Sequence, residues 1–170
     1  MTLPPLAFRA LGSACLAATL LAGCASGIKA YPDSQQKNTV VRVKSDRGSF
    51  FTKTRPDMHL YSVDSACRAE YLGTVELDQP LIQIGLPLDQ TVLLAFEFSS
   101  ESLGGNQAST LIEMMTTPRK GLRYELEVAY LKKSYTATGL EFRQGQSKGR
   151  EMEHRRLRDC LEDKKAGLQR

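Results

Sequence analysis

Two histidines, His59 and His154, are the only imidazoles in the 170 residues, and acid–base or metal chemistry near neutral pH would fall to them first. His59 lies in the run Met58-His59-Leu60-Tyr61-Ser62-Val63, with Asp57 and Asp64 close in sequence. A metal ligand or a general base can be imagined there, and a surface imidazole is the competing reading. His154 sits between Glu153 and Arg155 in a charged tail and reads as solvated. A serine hydrolase would need its nucleophile on a Gly-x-Ser-x-Gly elbow, which the chain lacks. The Gly104-Gly105 pair lies between Ser102 and Ser109, but no activating base stands beside it. No phosphate-binding loop or dinucleotide fingerprint occurs. The four cysteines, Cys15, Cys24, Cys67 and Cys160, contain no Cys-x-x-Cys pair, so neither a redox motif nor a four-cysteine zinc site is supported. The expectation is no catalytic residue, no cofactor and no metal.

Where the cysteines stand matters more than what they could catalyse. Met1 to Arg9 carries one positive charge, Arg9, and Ala10 to Gly23 carries none, the layout of a secretory signal. As a helix, that uncharged run spans roughly 21 Å at about 1.5 Å per residue, short of the roughly 30 Å needed to cross a bilayer. A buried N-terminal helix is opposed by Gly12, Gly23 and the Pro4-Pro5 pair. The run ends in Leu21-Ala22-Gly23-Cys24, which resembles the lipobox of bacterial lipoproteins. Cys15 does not fit, because Gly12 stands where the leucine belongs. The resemblance implies that residues 1–23 are a signal peptide, that Cys24 receives a diacylglyceryl group on its sulfur, and that the new amino terminus is acylated. Several acyl chains anchor durably where one binds marginally. No aspartate follows Cys24; the next residues are Ala25-Ser26-Gly27-Ile28. In enterobacterial members an aspartate there retains the protein at the inner membrane, so the resemblance implies the periplasmic face of the outer membrane.

Cys67 and Cys160 remain, and two cysteines in an exported domain read as a disulfide, with two separate thiols as the alternative. Removal of residues 1–23 leaves 147, enough for one domain with a sizeable core. Its net charge of about +3, with Arg9 gone from the chain's +4, is too mild to argue for nucleic acid.

The elements that would carry these residues are mostly strands. Residues 24–37, with Gly27, Pro32, Ser34 and Gln35-Gln36, read as the lipidated cysteine and a flexible tether. Residues 38–170 follow as a folded domain with a charged C-terminal tail. Thr39 to Val43, Met58 to Val63 and Tyr71 to Leu77 read as strands, the last with Gly73 permitting a bulge or close approach. In Met58 to Val63, Met58 and Leu60 share one face and His59, Tyr61 and Val63 the other. Phe50-Phe51-Thr52 reads as a strand or a packed loop. Leu81 to Pro87 and Thr91 to Phe98 are strongly apolar, and the second reads as a central strand buried on both faces. A polar connection is expected over Ser99 to Ser109, then a strand from Thr110 to Thr116. The cleanest alternation is Leu122, Tyr124, Leu126, Val128 and Tyr130 against Arg123, Glu125 and Glu127. Tyr135 to Phe142 returns as a strand with Ala137, Leu140 and Phe142 available for burial. Leu157, Cys160 and Leu161 suit a short amphipathic helix from about Arg150 to Lys164, with a strand ending at Cys160 as the alternative.

The expected fold is mainly β: an antiparallel β-sandwich of seven or eight strands with a short C-terminal helix. Its rhythm and the run Gly121 to Val128 resemble transthyretin-like and carboxypeptidase-regulatory-like sandwiches of exported bacterial proteins. Three basic sets, Arg119-Lys120-Arg123, Lys132-Lys133 and Arg155-Arg156-Arg158, read as solvated faces. If two meet in space they could contact anionic lipid or an acidic partner. The Ser102 to Asn106 loop is a second candidate contact surface. The partners expected are the membrane, through the N-terminal lipid, and another cell-envelope protein, with no nucleic acid. The function expected is a non-catalytic binding or assembly module. The alternatives are a ligand-binding or inhibitory module for a glycan or an envelope enzyme and, last, a hydrolase.

Overall fold

A computed structural model describes residues 28–32, 36–45, 52–102, 107–131 and 134–168. Cys15, Cys24 and the rest of the signal region lie outside the described residues, as do Phe50, Phe51, Lys132, Lys133 and residues 103–106. In chain order the elements are β1 (Thr39–Ser45), β2 (Thr52–Val63), β3 (Ala69–Glu76), β4 (Leu81–Ile84) and β5 (Val92–Ser102). They continue with β6 (Gln107–Thr116), β7 (Leu122–Leu131), β8 (Ser134–Arg143), β9 (Arg150–Glu151) and α1 (Leu157–Leu168). Two sheets form, one of five strands in the order β4-β1-β7-β8-β9 and one of four in the order β3-β2-β5-β6.

The mainly β expectation and the C-terminal helix stand, with corrections. Nine strands occur among the described residues instead of seven or eight, and the sheets are not wholly antiparallel, because β1 runs parallel to β7 from Thr39↔Tyr124 to Ser45↔Tyr130. Asn38 ties this parallel pair to β4. Its backbone N–H donates to Ile84 O, its carbonyl accepts from Tyr124 N, and its amide exchanges two 2.8 Å bonds with the backbone of Leu86.

β2 runs unbroken through Pro56, at the start of the Met58 to Val63 strand expected from the sequence. A proline survives in a strand where its missing N–H would face no neighbour. Pro56 O accepts from Leu77 N (3.1 Å), so its imino nitrogen faces the side on which β3 has already ended at Glu76. The expected long connection from Ser99 to Ser109 is also corrected. β5 and β6 extend to Ser102 and from Gln107, paired through Ser99↔Ser109 and Ser100↔Ala108.

One buried cluster draws on both sheets. Met58, Leu60, Leu94, Phe96, Phe98 and Met114 come from the four-stranded sheet, and Val41, Tyr124, Leu126 and Val128 from the five-stranded one. The alternation of β7 is the one read from the sequence, with Tyr124, Leu126 and Val128 buried and Arg123 exposed. Leu140 departs from its expectation. It lies on the opposite face of β8 from Ala137 and is 43% exposed. Phe142, on that same outward face, is buried by the Arg123 guanidinium 4.8 Å from its ring centroid and by the chain at Gly149.

The second face of β5 is covered too. Leu93, Val63 and Met115 form a separate cluster with Leu157, Cys67 and Cys160, which places α1 on the outer face of the four-stranded sheet. α1 begins at Leu157, not near Arg150, because Arg150–Glu151 pairs with β8 and Arg155 bridges Met115. Asp159 closes its first turn by accepting from Arg156 N (2.9 Å), a third-position carboxylate satisfying an orphan amide. That bond holds the Asp159 carboxyl below its ordinary range. Cys67 and Cys160 are disulfide-bonded, Cα atoms 6.0 Å apart across 93 residues of sequence.

Candidate functional site

His59 stands on the outer face of the four-stranded sheet, on the half that α1 leaves uncovered. Strand alternation sends Asp57, His59 and Tyr61 to that face, and register sets Thr74 opposite His59 and Glu76 opposite Asp57. A bulge between Leu60 and Tyr61 on the pairing with β3 shifts the register, so Tyr61 faces Tyr71. Tyr71 and Thr74, three residues apart, can therefore share a face, which simple alternation forbids. Glu97 comes from β5, opposite Asp57 and two pairs along from the Ala95 opposite His59.

These side chains form a continuous hydrogen-bonded row. His59 Nε2 lies 3.0 Å from Glu97 Oε2, His59 Nδ1 lies 2.6 Å from Thr74 Oγ1, and Thr74 Oγ1 lies 2.5 Å from Tyr71 OH. With Glu97 ionised, Nε2–H donates to the carboxylate. In the neutral ring Nδ1 then accepts from Thr74, and the Tyr71 hydroxyl hydrogen lies between Thr74 Oγ1 and Lys29 O, 3.3 Å away. Asp57 beside them has its carboxyl pushed above the ordinary range, first by desolvation. His59 pulls it down, and Glu76 and Glu97 add to the rise.

A hydroxyl, an imidazole and a carboxylate in line is the order used for nucleophilic hydrolysis. The surroundings do not suit that use. Thr74 is 6% exposed, and its hydroxyl is already engaged by two side chains. The segment Lys29 to Tyr31, inside the stretch read as tether, runs alongside β3 there, Ala30 bridging Thr74 in parallel. Tyr31 N donates to Thr74 O (2.9 Å), Thr74 N donates to Lys29 O (2.8 Å), and Tyr31 OH reaches Gly85 O (2.7 Å). This close approach is possible because residue 73 is glycine: a Cβ there would lie 2.6 Å from Tyr31 Cα. The Thr74 backbone, with Tyr71 OH donating to Lys29 O (3.3 Å), thus fastens Lys29 to Tyr31 to the β3 edge.

Asp64, read as a possible companion of His59, belongs elsewhere. Its carboxylate accepts from Ala66 N, Arg68 N and Arg68 Nε at 2.7–2.9 Å, and those bonds, led by the one from Arg68 N, hold its carboxyl below the ordinary range. The turn it organises presents Cys67 at φ 60° to Cys160.

The basic sets come together only in part. Arg119, Arg155 and Arg150 line one cleft of about 560 Å³ with Glu141, Glu151 and His154. It lies where residues 150–156 cross from the edge of the five-stranded sheet to β6. Glu141, its side chain largely buried, is bonded to Arg150, and Arg155 pairs with Asp163 at 3.1 Å. The Arg119 side chain forms no ion pair among the described residues. His154 Nδ1–H donates to Met152 O (3.0 Å). Arg123 is on the far face over Phe142, while Arg156 and Arg158 pair with Asp159 and Glu162 on α1.

Thr74, Tyr71 and Glu97 were not read as site residues. They lie 15, 12 and 38 positions from His59 and meet it only through strand register and a bulge, whose one local signal is Gly73. Among the described residues no group of three or more His, Cys, Asp or Glu could hold a metal ion, and no helix is long and apolar enough to cross a membrane. No protein-family model matches the chain, and no curated protein matches it.

Proposed function

We propose that the chain is a bacterial lipoprotein whose β-sandwich, anchored at the periplasmic face of the outer membrane through Cys24, binds another envelope component without chemistry. The observation that carries this reading is the Cys67–Cys160 disulfide, because such bonds persist in exported proteins and are rare where thiols are kept reduced. The buried cluster shared by the two sheets supports the sandwich. The pairing of Lys29 to Tyr31 with β3 supports a close anchor. From Cys24 to Lys29 the chain can extend at most roughly 18 Å, with Ile28 74% exposed along the way. The β3 edge is then held near the bilayer. β6 and the arginine-lined cleft lie three strands farther across the sheet, roughly 14 Å at about 4.8 Å per strand, on the side away from the anchor.

Confinement to a surface raises the effective concentration of any partner in the same membrane, so modest affinity suffices. The covered Thr74 hydroxyl favours binding over hydrolysis. The cleft supports a second reading, a ligand-binding or inhibitory module for a glycan or an envelope enzyme, since Arg119 can meet an anionic group there. Crosslinking in the native envelope followed by capture of the chain separates the two. One envelope protein recovered in stoichiometric amount is the expected result, and recovery of none would sink the assembly reading in favour of a glycan.

A further inference from the structure

A sheet edge carries unpaired N–H and C=O groups and invites another strand, so folded proteins shorten, bend or cover their edges. Three of the four edges here are treated that way. β3 is bulged and is flanked by Lys29 to Tyr31. β4 has four residues, with Pro80 before it and Pro87 after it. β9 has two residues and covers β8 only at Leu140 and Glu141.

β6 is different. It runs ten residues without proline, glycine or lysine. Only its last turn outward is taken, where Met115 N donates to Arg155 O (2.7 Å) and Arg155 N to Met115 O (3.0 Å). Those bonds show that Met115 directs both backbone groups away from β5. By strand alternation Ser109, Leu111 and Glu113 do the same, and among the described residues nothing bonds to them there. Their side chains share the outer face, and Leu111 is 55% exposed.

We propose that two copies of the chain pair through β6, antiparallel, about a twofold axis at Leu111. In this register Leu111 meets the partner's Leu111 and Ser109 meets the partner's Glu113, each pair exchanging two N–H···O bonds. The register is self-complementary. The two exposed leucines cover each other, and each Glu113 carboxylate lies beside a serine hydroxyl instead of a second carboxylate. The Met115–Arg155 bridge ends the pairing beyond Glu113. The contact is isologous, each copy using the same stretch of β6, so it closes at two copies and does not grow into a fibre.

The register makes a specific prediction for the full chain in detergent. In an antiparallel bonded pair the two Leu111 Cα atoms would lie about 5.5 Å apart, within disulfide reach. The two Ser109 Cα atoms would be roughly 14 Å apart along the strands. Under mild oxidation Leu111→Cys should therefore run mainly as a reducible dimer on a non-reducing gel, and Ser109→Cys should stay at the background of the unaltered chain. Hydrogen exchange needs no substitution: the Ser109, Leu111 and Glu113 amides should exchange at least about tenfold more slowly in concentrated than in dilute chain. Crosslinking of Leu111→Cys at background, equal crosslinking of Ser109→Cys, or exchange at these amides independent of concentration would overturn the proposal. So would Leu111→Cys joining a different polypeptide in the envelope in place of a second copy.

Discussion

Replacement of both Cys67 and Cys160 by serine should destabilise the domain by roughly 4 to 5 kcal/mol on the loop-entropy account for a bond closing 93 residues. That is a large part of the roughly 5 to 15 kcal/mol by which folded domains are stable. The effect extends beyond the bond. α1 has twelve residues, too few to be stable alone in water. It is held to the outer face by a small cluster in which Leu157 packs near Val63, Leu93 and Met115. Its remaining holds are the Met115–Arg155 bridge just before it and the exposed Arg155–Asp163 ion pair. Without the disulfide, α1 should come off the sheet and lose its helicity before the strands unfold. Chemical denaturation of the oxidised chain, the reduced chain and the double variant, followed by circular dichroism, checks this. The reduced chain and the variant should share a lowered midpoint and a separate early loss of helical signal. Three equal midpoints would show that the bond constrains nothing the sheet does not already fix.

Gly73→Val should have the second-largest effect, and by a different route. At Gly73 the backbone has φ +153°, and a Cβ would meet Tyr31 Cα at 2.6 Å, Tyr31 N at 2.7 Å and the Ala30 carbonyl carbon at 3.0 Å. These are main-chain atoms, which cannot rotate aside as a side-chain tip can. The segment must lift away, giving up the two backbone bonds at Thr74 and the Tyr31 hydroxyl bond to Gly85. At about 0.5 to 1.5 kcal/mol each the loss is roughly 2 to 4 kcal/mol. The free leash would then reach from Cys24 to Asn38, where the backbone next bonds to the sheet at Ile84. Cleavage after Lys29 by trypsin should accelerate, with a lowered melting temperature. Unchanged cleavage and melting would mean that the contact with β3 does not hold the segment.

The parts of this fold legible in sequence are those that a local pattern specifies. Leu122 to Tyr130 alternates because Tyr124, Leu126 and Val128 enter the buried cluster while Arg123, Glu125 and Glu127 stay at least partly exposed. Thr91 to Phe98 reads as central because Leu93 lies under α1 while Leu94 and Phe96 enter the core. The pairing of Cys67 with Cys160 followed from export and from the number of cysteines left. The rest depends on residues far apart in the chain. Pro56 is tolerated because β3 stops one residue short of it, and no local pattern announces that. The parallel match of β1 with β7 is set by chain segments some 80 residues apart. The row from Glu97 through His59 and Thr74 to Tyr71 needs a bulge whose only trace in sequence is Gly73, and Gly73 serves the close approach of Tyr31 as well. The extension of β5 and β6 was hidden because Ser99, Ser100, Ala108 and Ser109 look like loop residues; solvent on their outer face permits that composition within a strand.

Lipid at Cys24 is the claim from which the address, the short leash and the surface-confined partner all proceed, and mass spectrometry of the chain purified from membranes tests it most directly. The expected N-terminal peptide begins at Cys24, with a diacylglyceryl thioether on its sulfur and an acyl group on its amine. Cys24→Ser should retain residues 1–23 or appear in the soluble fraction. An unmodified Cys24 still joined to Gly23 in the membrane-bound protein, or a Cys24→Ser chain processed and held at the membrane as before, would contradict it.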